Sequence, residues 1–279
     1  MTAPLLSVED LVVEYPVGDG VFRAVDSVSF SVDKGKTLAV VGESGCGKST
    51  IAKSIVRLLT PTSGKIVVDG TDISQLSEKA LRPFRSRVQM VFQDPYGSLD
   101  PHLTAVDIVG EPLRLKGIRS KSERAKKAAK LIDRVGLPKT ALNRRPVEFS
   151  GGQRQRIGIA RALAAGPEIL VCDEATSALD VSVQAQVLDL LREIQSDTGL
   201  TYVFISHNLG VVREISETVV VMSKGRIVEA GDTDDVLARP KEPYTRALRA
   251  AALDPAAMHG IKPRHIVSRL AQTSVGVTA

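Results

Sequence analysis

The chain has 279 residues, 43% of them hydrophobic and 25% charged, with a formal net charge of +5 and four histidines. That length supports a substantial buried core, and the composition excludes a disordered or fibrous chain. No apolar run approaches the roughly 18–20 residues that span a bilayer, the first residues lack a basic leader, and two distant cysteines, Cys46 and Cys172, give neither a disulfide framework nor a metal knuckle.

Alternating apolar and polar residues from Leu5 to Val32, interrupted at Gly18-Asp19-Gly20, predict antiparallel strands. A buried strand follows at Thr37–Val41, and a helix is predicted over Lys48–Leu59, stopped by Thr60-Pro61. From about 94 to 166 the pattern is mainly helical. Ser120 and Glu123 form a capping-box pair, Ala125, Ala128, Ala129, Ile132 and Val135 share a face, and Gly136 stops that helix. Strands at Ile169–Cys172, Tyr202–Ile205, Val219–Met222 and Arg226–Glu229, with a helix at Val183–Gln195, complete the pattern. The expected fold is α/β, a core with a mostly parallel sheet, an antiparallel β subdomain at the N-terminus and an inserted α-helical subdomain. One domain is expected over 1–250, with the helical subdomain at about 94–166. Residues 251–279 are expected to be a C-terminal extension and mobile tail. The basic excess between Arg114 and Arg134 has no docking motif beside it and reads as a solvated helix face, so no nucleic-acid partner is expected.

The segment Gly42-Glu43-Ser44-Gly45-Cys46-Gly47-Lys48-Ser49, followed by Thr50, fits GxxxxGK[ST] between a predicted strand and a predicted helix. Glycines let backbone N–H groups converge on phosphate oxygens, Lys48 adds charge near the terminal phosphates, and Ser49 offers a hydroxyl to Mg²⁺. Cys46 reads as a small loop residue without a redox role. The hydrophobic strand ending in Cys172-Asp173-Glu174 delivers Asp173 toward the metal and Glu174 toward the attacking water as general base. A lone Asp-Glu pair after a strand would read as a surface turn; beside the phosphate loop the functional reading dominates, and the α/β core is expected to be that of a P-loop nucleotide hydrolase, an ATPase domain over 1–250.

Phe149-Ser150-Gly151-Gly152-Gln153 opens a helix and gives a second anion-binding helix start. Here the chain resembles the ABC ATPases, whose LSGGQ signature appears as FSGGQ, and the resemblance runs from Leu6 to about Arg249. It implies a head-to-tail motor dimer in which Ser150, Gly151, Gly152 and Gln153 cover ATP held by the partner's phosphate loop. It further implies that Tyr15 stacks on adenine and that Gln93 reaches Mg²⁺ and the attacking water. Asp180, in Ser177-Ala178-Leu179-Asp180, crosses the dimer seam, and His207 contacts the γ-phosphate. The implied metal set is Ser49, Gln93 and Asp173, and the implied catalytic set is Glu174, His207, Gln93 and Lys48, with ATP and Mg²⁺ bound.

Two further segments narrow the branch. The segments 91–101 and 240–248, the latter holding Pro243-Tyr244-Thr245, resemble the oligopeptide, dipeptide and nickel branch of ABC importers, and within it Asp94-Pro95-Tyr96-Gly97-Ser98-Leu99 resembles the second of two paired ATPases. The resemblance implies a homologous ATPase partner, two permease subunits and an extracytoplasmic binding protein, with the motor peripheral on the cytoplasmic face of the membrane. Peptides are the expected cargo; nickel or another small solute would use a similar motor. No cysteine follows Cys172, so the iron–sulfur cluster found in many members of this branch is not expected. Soluble ABC proteins of ribosomes or DNA are the alternative class. They carry twin ATPase units, long linkers, coiled coils or zinc modules that this sequence lacks. A non-catalytic regulatory subunit is disfavoured by the intact Lys48, Asp173, Glu174 and His207.

Overall fold

The computed structural model describes residues 3–18, 20–94 and 96–253. The chain divides into two compact units, one formed by residues up to Gln75 with those from Phe204, the other by Leu76–Val203.

In the first unit, β1 (Leu6–Val17) and β2 (Gly20–Val32) form the predicted hairpin, with Leu6 opposite Val32 and Tyr15 opposite Phe22. The other edge of β1 pairs with β4 (Ser63–Val68), which pairs with β5 (Thr71–Asp72). Strand β3 (Thr37–Gly42) is buried at every residue, the continuous apolar pattern of a strand covered on both faces. It runs parallel to β9 (Thr218–Ser223), and β9 turns back through Lys224-Gly225 into the antiparallel β10 (Arg226–Asp232). Helices α7 (Leu209–Ile215), α8 (Thr233–Ala238) and α9 (Pro243–Leu253) cover these strands. Ala39 and Val41 of β3, Val219 and Val221 of β9, Val212, Val236, Tyr244 and Leu248 form one core cluster.

Helix α1 (Lys48–Ile55) ends four residues earlier than its apolar spacing predicts. Arg57 adopts a left-handed backbone, φ 55°, and is 8% exposed. It donates to the Ile73 carbonyl at 2.8 Å and to Thr60 Oγ1 at 3.0 Å. These bonds replace another helical turn, a tertiary preference that periodicity does not carry.

In the second unit, α2 (Glu78–Arg87) leads into β6 (Val88–Val91), which is parallel to β7 (Ile169–Asp173). A bidentate Arg87–Glu168 pair, at 2.6 and 2.9 Å, joins the starts of these strands. Helix α2 carries little sequence signal: Pro83 lies inside it and only Leu81 of its side chains is buried, so no helix is predicted there. Helices α3 (Ala105–Leu115), α4 (Lys121–Arg134) and α5 (Gly151–Ala164) form the helical region. In α4 only the serine half of the predicted capping box forms. Ser120 accepts from the Glu123 amide at 3.3 Å, while the Glu123 carboxylate lies 3.0 Å from Lys127. Ala128 and Ile132 are buried as predicted, and Gly136 is left-handed at φ 74°. Helix α6 (Val181–Thr198) exceeds its predicted span at both ends, and β8 (Thr201–Ser206) carries the chain back into the first unit. The folds of both units match the α/β expectation, with an antiparallel sheet and mostly parallel core strands. Of the expected C-terminal extension and tail, residues 251–279, the first three belong to α9 and residues 254–279 lie outside the described residues.

Replacing Arg57 with Ala leaves the Ile73 carbonyl without its charged donor. A loss of about 1.5–3 kcal/mol in unfolding free energy is expected from urea denaturation.

Candidate functional site: a phosphate loop and a signature helix

The phosphate loop is built by crowding. Gly42 ends β3 with φ 151°, and Gly47 caps α1 with φ 106°. A Cβ on Gly42 would lie 2.3 Å from the Met222 carbonyl oxygen, and one on Gly47 would lie 2.4 Å from that of Ala24. The backbone therefore bends where neither side chains nor right-handed geometry fit. Around the bend, Cys46 N–H donates to the Glu43 carbonyl at 3.3 Å, and Gly225 N–H donates to the Cys46 carbonyl at 3.1 Å. Ser44 and Gly45 form the exposed rim.

Lys48 is 4% exposed, and its ammonium donates to the Gly42 and Glu43 carbonyls at 2.8 Å each. The positive charge is thus held inside the curve of the loop. No side chain caps α1 and no acid occupies its first turn, so the helix start presents Ser49 and Thr50 without a competing anion. A triphosphate fits this arrangement: the loop is closed to side chains, the cation is pre-placed and the dipole points the right way. Burial raises the Cys46 thiol above its ordinary range, which makes it a poor thiolate. Tyr15 is half-buried on β1, cross-strand from the exposed Phe22. His207 is exposed just beyond β8, followed by Asn208, whose side chain caps α7 by accepting from Gly210 and Val211 amides at 3.0 and 3.4 Å.

The second unit carries the acidic and signature elements. Asp173, 4% exposed, ends the fully buried β7. Glu174 has φ 46°, a left-handed backbone in a non-glycine residue, which turns the chain sharply out of the strand. The turn is held by Ser177, whose amide and hydroxyl donate to the Glu174 carbonyl at 3.1 and 3.0 Å. Gln93 Nε2 donates to Glu174 Oε2 at 2.8 Å, so two of the residues implied in catalysis meet directly. Among the described residues no group of three or more His, Cys, Asp or Glu could hold a metal. A Mg²⁺ ion carried by a hydroxyl, one carboxylate, water and substrate phosphates needs no such cage.

At the signature helix, Ser150 Oγ accepts from the Gln153 amide at 3.3 Å while Gln153 Oε1 accepts from the Ser150 amide at 3.1 Å, a complete capping box. A Cβ on Gly152 would approach Val183 Cγ1 to 2.3 Å, so this helix start packs on the first turn of α6. Gly151 lies beside Leu179, which a Cβ there would approach to 3.7 Å. Asp180 caps α6, accepting from the Val183 amide at 2.9 Å and Ser182 Oγ at 2.8 Å, and the Val183 amide bond is the main cause of its lowered pKa.

Tyr15, Gly42–Thr50 and His207 thus belong to the first unit, and Gln93, Ser150–Gln153, Asp173, Glu174 and Asp180 to the second. The sequence reading assigned no role at the nucleotide loop to Tyr244, yet the tyrosine hydroxyl accepts from the Glu43 amide at 3.2 Å. The Pro-Tyr-Thr motif was visible, but its contact is long-range and has no periodic signal.

The family model described as ABC transporter matches residues 25–177. A probable peptide ABC transporter ATP-binding protein of Sinorhizobium fredii is 52% identical, covering 90% of this chain and 73% of that protein. The oligopeptide transport ATP-binding protein OppF of Bacillus subtilis is 47% identical over 90% of this chain and 83% of its own. Among solved structures, the dimeric ATP-binding cassette MJ0796 in a post-hydrolysis state bound to ADP and Pi aligns with a TM-score of 0.76 and 31% identity, covering 82% of this chain and 98% of that one. The cbiO1 protein of Clostridium perfringens, part of the ABC transporter complex cbiONQ, aligns with a TM-score of 0.74 and 27% identity, over 92% and 98% of the two chains.

Substituting Gly47 with Ala forces a methyl against the Ala24 carbonyl and strains the backbone. Nucleotide affinity is expected to fall about tenfold to a hundredfold in a fluorescent-ATP titration.

Proposed function

Since the chain belongs to the ABC transporter family and is an ATP-hydrolysing member of it, we propose that it powers a peptide importer by closing on ATP together with a homologous ATPase subunit. The observation that carries the ATP site is the loop around Lys48, closed to side chains at Gly42 and Gly47 and curved around one buried ammonium. Support for peptides as cargo comes from relatives at 47–52% identity, over 90% of this chain, that bear peptide-transport names. The partner set that fits is a second ATPase, two integral membrane permeases and an extracytoplasmic binding protein. Among the described residues no helix is long and apolar enough to cross a membrane, so the permeases would supply the spans and this chain would sit peripherally on their cytoplasmic side. One domain over 1–250, with its helical part at about 94–166, is the working unit of this reading.

Each residue then has a task. Amides of Gly45 and Gly47 take phosphate oxygens, the Cys46 amide joins them by giving up its long bond to the Glu43 carbonyl, and Lys48 leaves the Gly42 and Glu43 carbonyls to meet the terminal phosphates. Glu43 and Ser44 shape the loop, Ser49 and Thr50 start the helix behind it, and Tyr15 supplies a face for adenine. Ser49, Gln93 and Asp173 would hold Mg²⁺, which when bound neutralises charge developing on the phosphates. Glu174 accepts the proton of the attacking water, and its bond to Gln93 orients the carboxylate before substrate arrives. His207 steadies the terminal phosphate. Ser150, Gly151, Gly152, Gln153 and Asp180 serve the nucleotide held by the partner ATPase. The Gln93 segment transmits closure to the permeases, because a bound γ-phosphate favours the closed state over the open one.

Glu174→Gln removes the base and keeps the shape. ATP binding is expected to persist, the ATP-bound dimer to last longer, and kcat in the assembled transporter to fall about 10²- to 10⁴-fold. Full turnover by this variant would refute the assignment of the base, and uptake of labelled peptides by cells lacking the chain tests the cargo.

A further inference from the structure

The helix that begins with Pro-Tyr-Thr is bound to the phosphate loop, a connection that the ATP mechanism does not use. Its start is fixed on β10: Glu229 accepts from the Lys241 amide at 2.8 Å and from the Glu242 amide at 3.2 Å. Pro243 then opens α9 at a position where a missing N–H costs nothing. Tyr244 and Leu248 of α9 enter the core cluster that also holds Ala39 and Val41 of β3, the strand that runs into the loop. From that seat, 6% exposed, the Tyr244 hydroxyl accepts from the Glu43 N–H at 3.2 Å. The Ser223 side chain hydrogen-bonds the same hydroxyl, and burial pushes its pKa up to about 12, so it stays a neutral phenol throughout the working range.

The bond falls at a chosen place. Glu43 lies at the base of the loop, next to Gly42, and its carbonyl is one of the two that hold Lys48. Its amide is directed to Tyr244, away from the rim at Ser44 and Gly45. Tyr244, Glu43, Gly45 and Cys46, together with Ser223 and Gly225, line a cavity of about 200 Å³ on this side of the loop. On this side the Gly225 amide of the β9–β10 turn and the tyrosine hydroxyl both bond the loop backbone.

We propose that Tyr244 is a positioning residue that tethers the base of the phosphate loop through the Glu43 amide, so that the C-terminal helix sets the loop's readiness for ATP. The inference rests on reading that loop as the ATP site. It gives the Pro-Tyr-Thr motif a division of labour: proline starts the helix, tyrosine reaches the loop, and threonine is buried beneath, 1% exposed. The tether acts before any nucleotide arrives, by narrowing the conformations of the empty loop.

Cys46 and Cys172 provide the test in the full-length protein. Cys46 lies in the loop and lines the cavity, whereas Cys172 is 0% exposed in the middle of β7. Tyr244→Phe keeps the ring and removes the acceptor. In this variant the modification of Cys46 by a water-soluble disulfide reagent, followed by mass spectrometry, is expected to accelerate about five- to tenfold. Cys172 is expected to keep its wild-type rate, and ATP with Mg²⁺ to bind at least threefold more weakly (roughly the loss of one modest hydrogen bond). An unchanged Cys46 rate overturns the tether, as does a parallel rise at both cysteines, which would mark general loosening of the fold. Wild-type protein that binds no ATP would overturn the reading of the site, and the two thiol rates would still decide the tether.

Discussion

Two close approaches of backbone to backbone, Gly42 against Met222 and Gly47 against Ala24, set the terms for the rest of this molecule. They require a glycine at each end of the phosphate loop, and they require β9 and the end of the N-terminal hairpin to be in place before the loop can take its shape. The parallel register of β3 with β9, in which Gly42 is opposite Met222, brings that carbonyl into place. The turn after β9 then adds the Gly225 amide. A local motif of eight residues therefore depends on contacts nearly two hundred positions away, and its chemistry is a property of the first unit's whole fold.

The second unit meets a different constraint. The Glu174 carboxylate accepts from a neutral donor, the side-chain amide of Gln93. Gln93 orients Glu174 with a neutral hydrogen bond, while the left-handed backbone at Glu174 separates it from Asp173 within one residue. Adjacent acids can in this way take different tasks, one at the end of a buried strand and one on the turn outside it.

Much of this was legible in the sequence because the decisive signals are short and local. The phosphate loop, the acidic strand end and the signature helix each pair a strict spacing with a strand or helix boundary, and the structure has those boundaries within a few residues. The glycine stop at Gly136 was legible for the same reason. What escaped depends on distance. Arg57 ends α1 through carbonyl and hydroxyl partners on later segments, α2 buries too little to show a periodicity, and Glu123 prefers Lys127 to its own helix start. Tyr244 stood out as part of a motif, but nothing in the chain's pattern points from residue 244 to residue 43.

The signature helix start has a bearing on assembly. Ser150 and Gln153 satisfy one another's amides, and Gly152 is seated on Val183, so this surface is finished within the single chain. Its conformational entropy is lost at folding and not at association. Under the proposed pairing with a homologous ATPase, the chain would bring a preformed half-site to the encounter, and docking would be limited by diffusion and orientation.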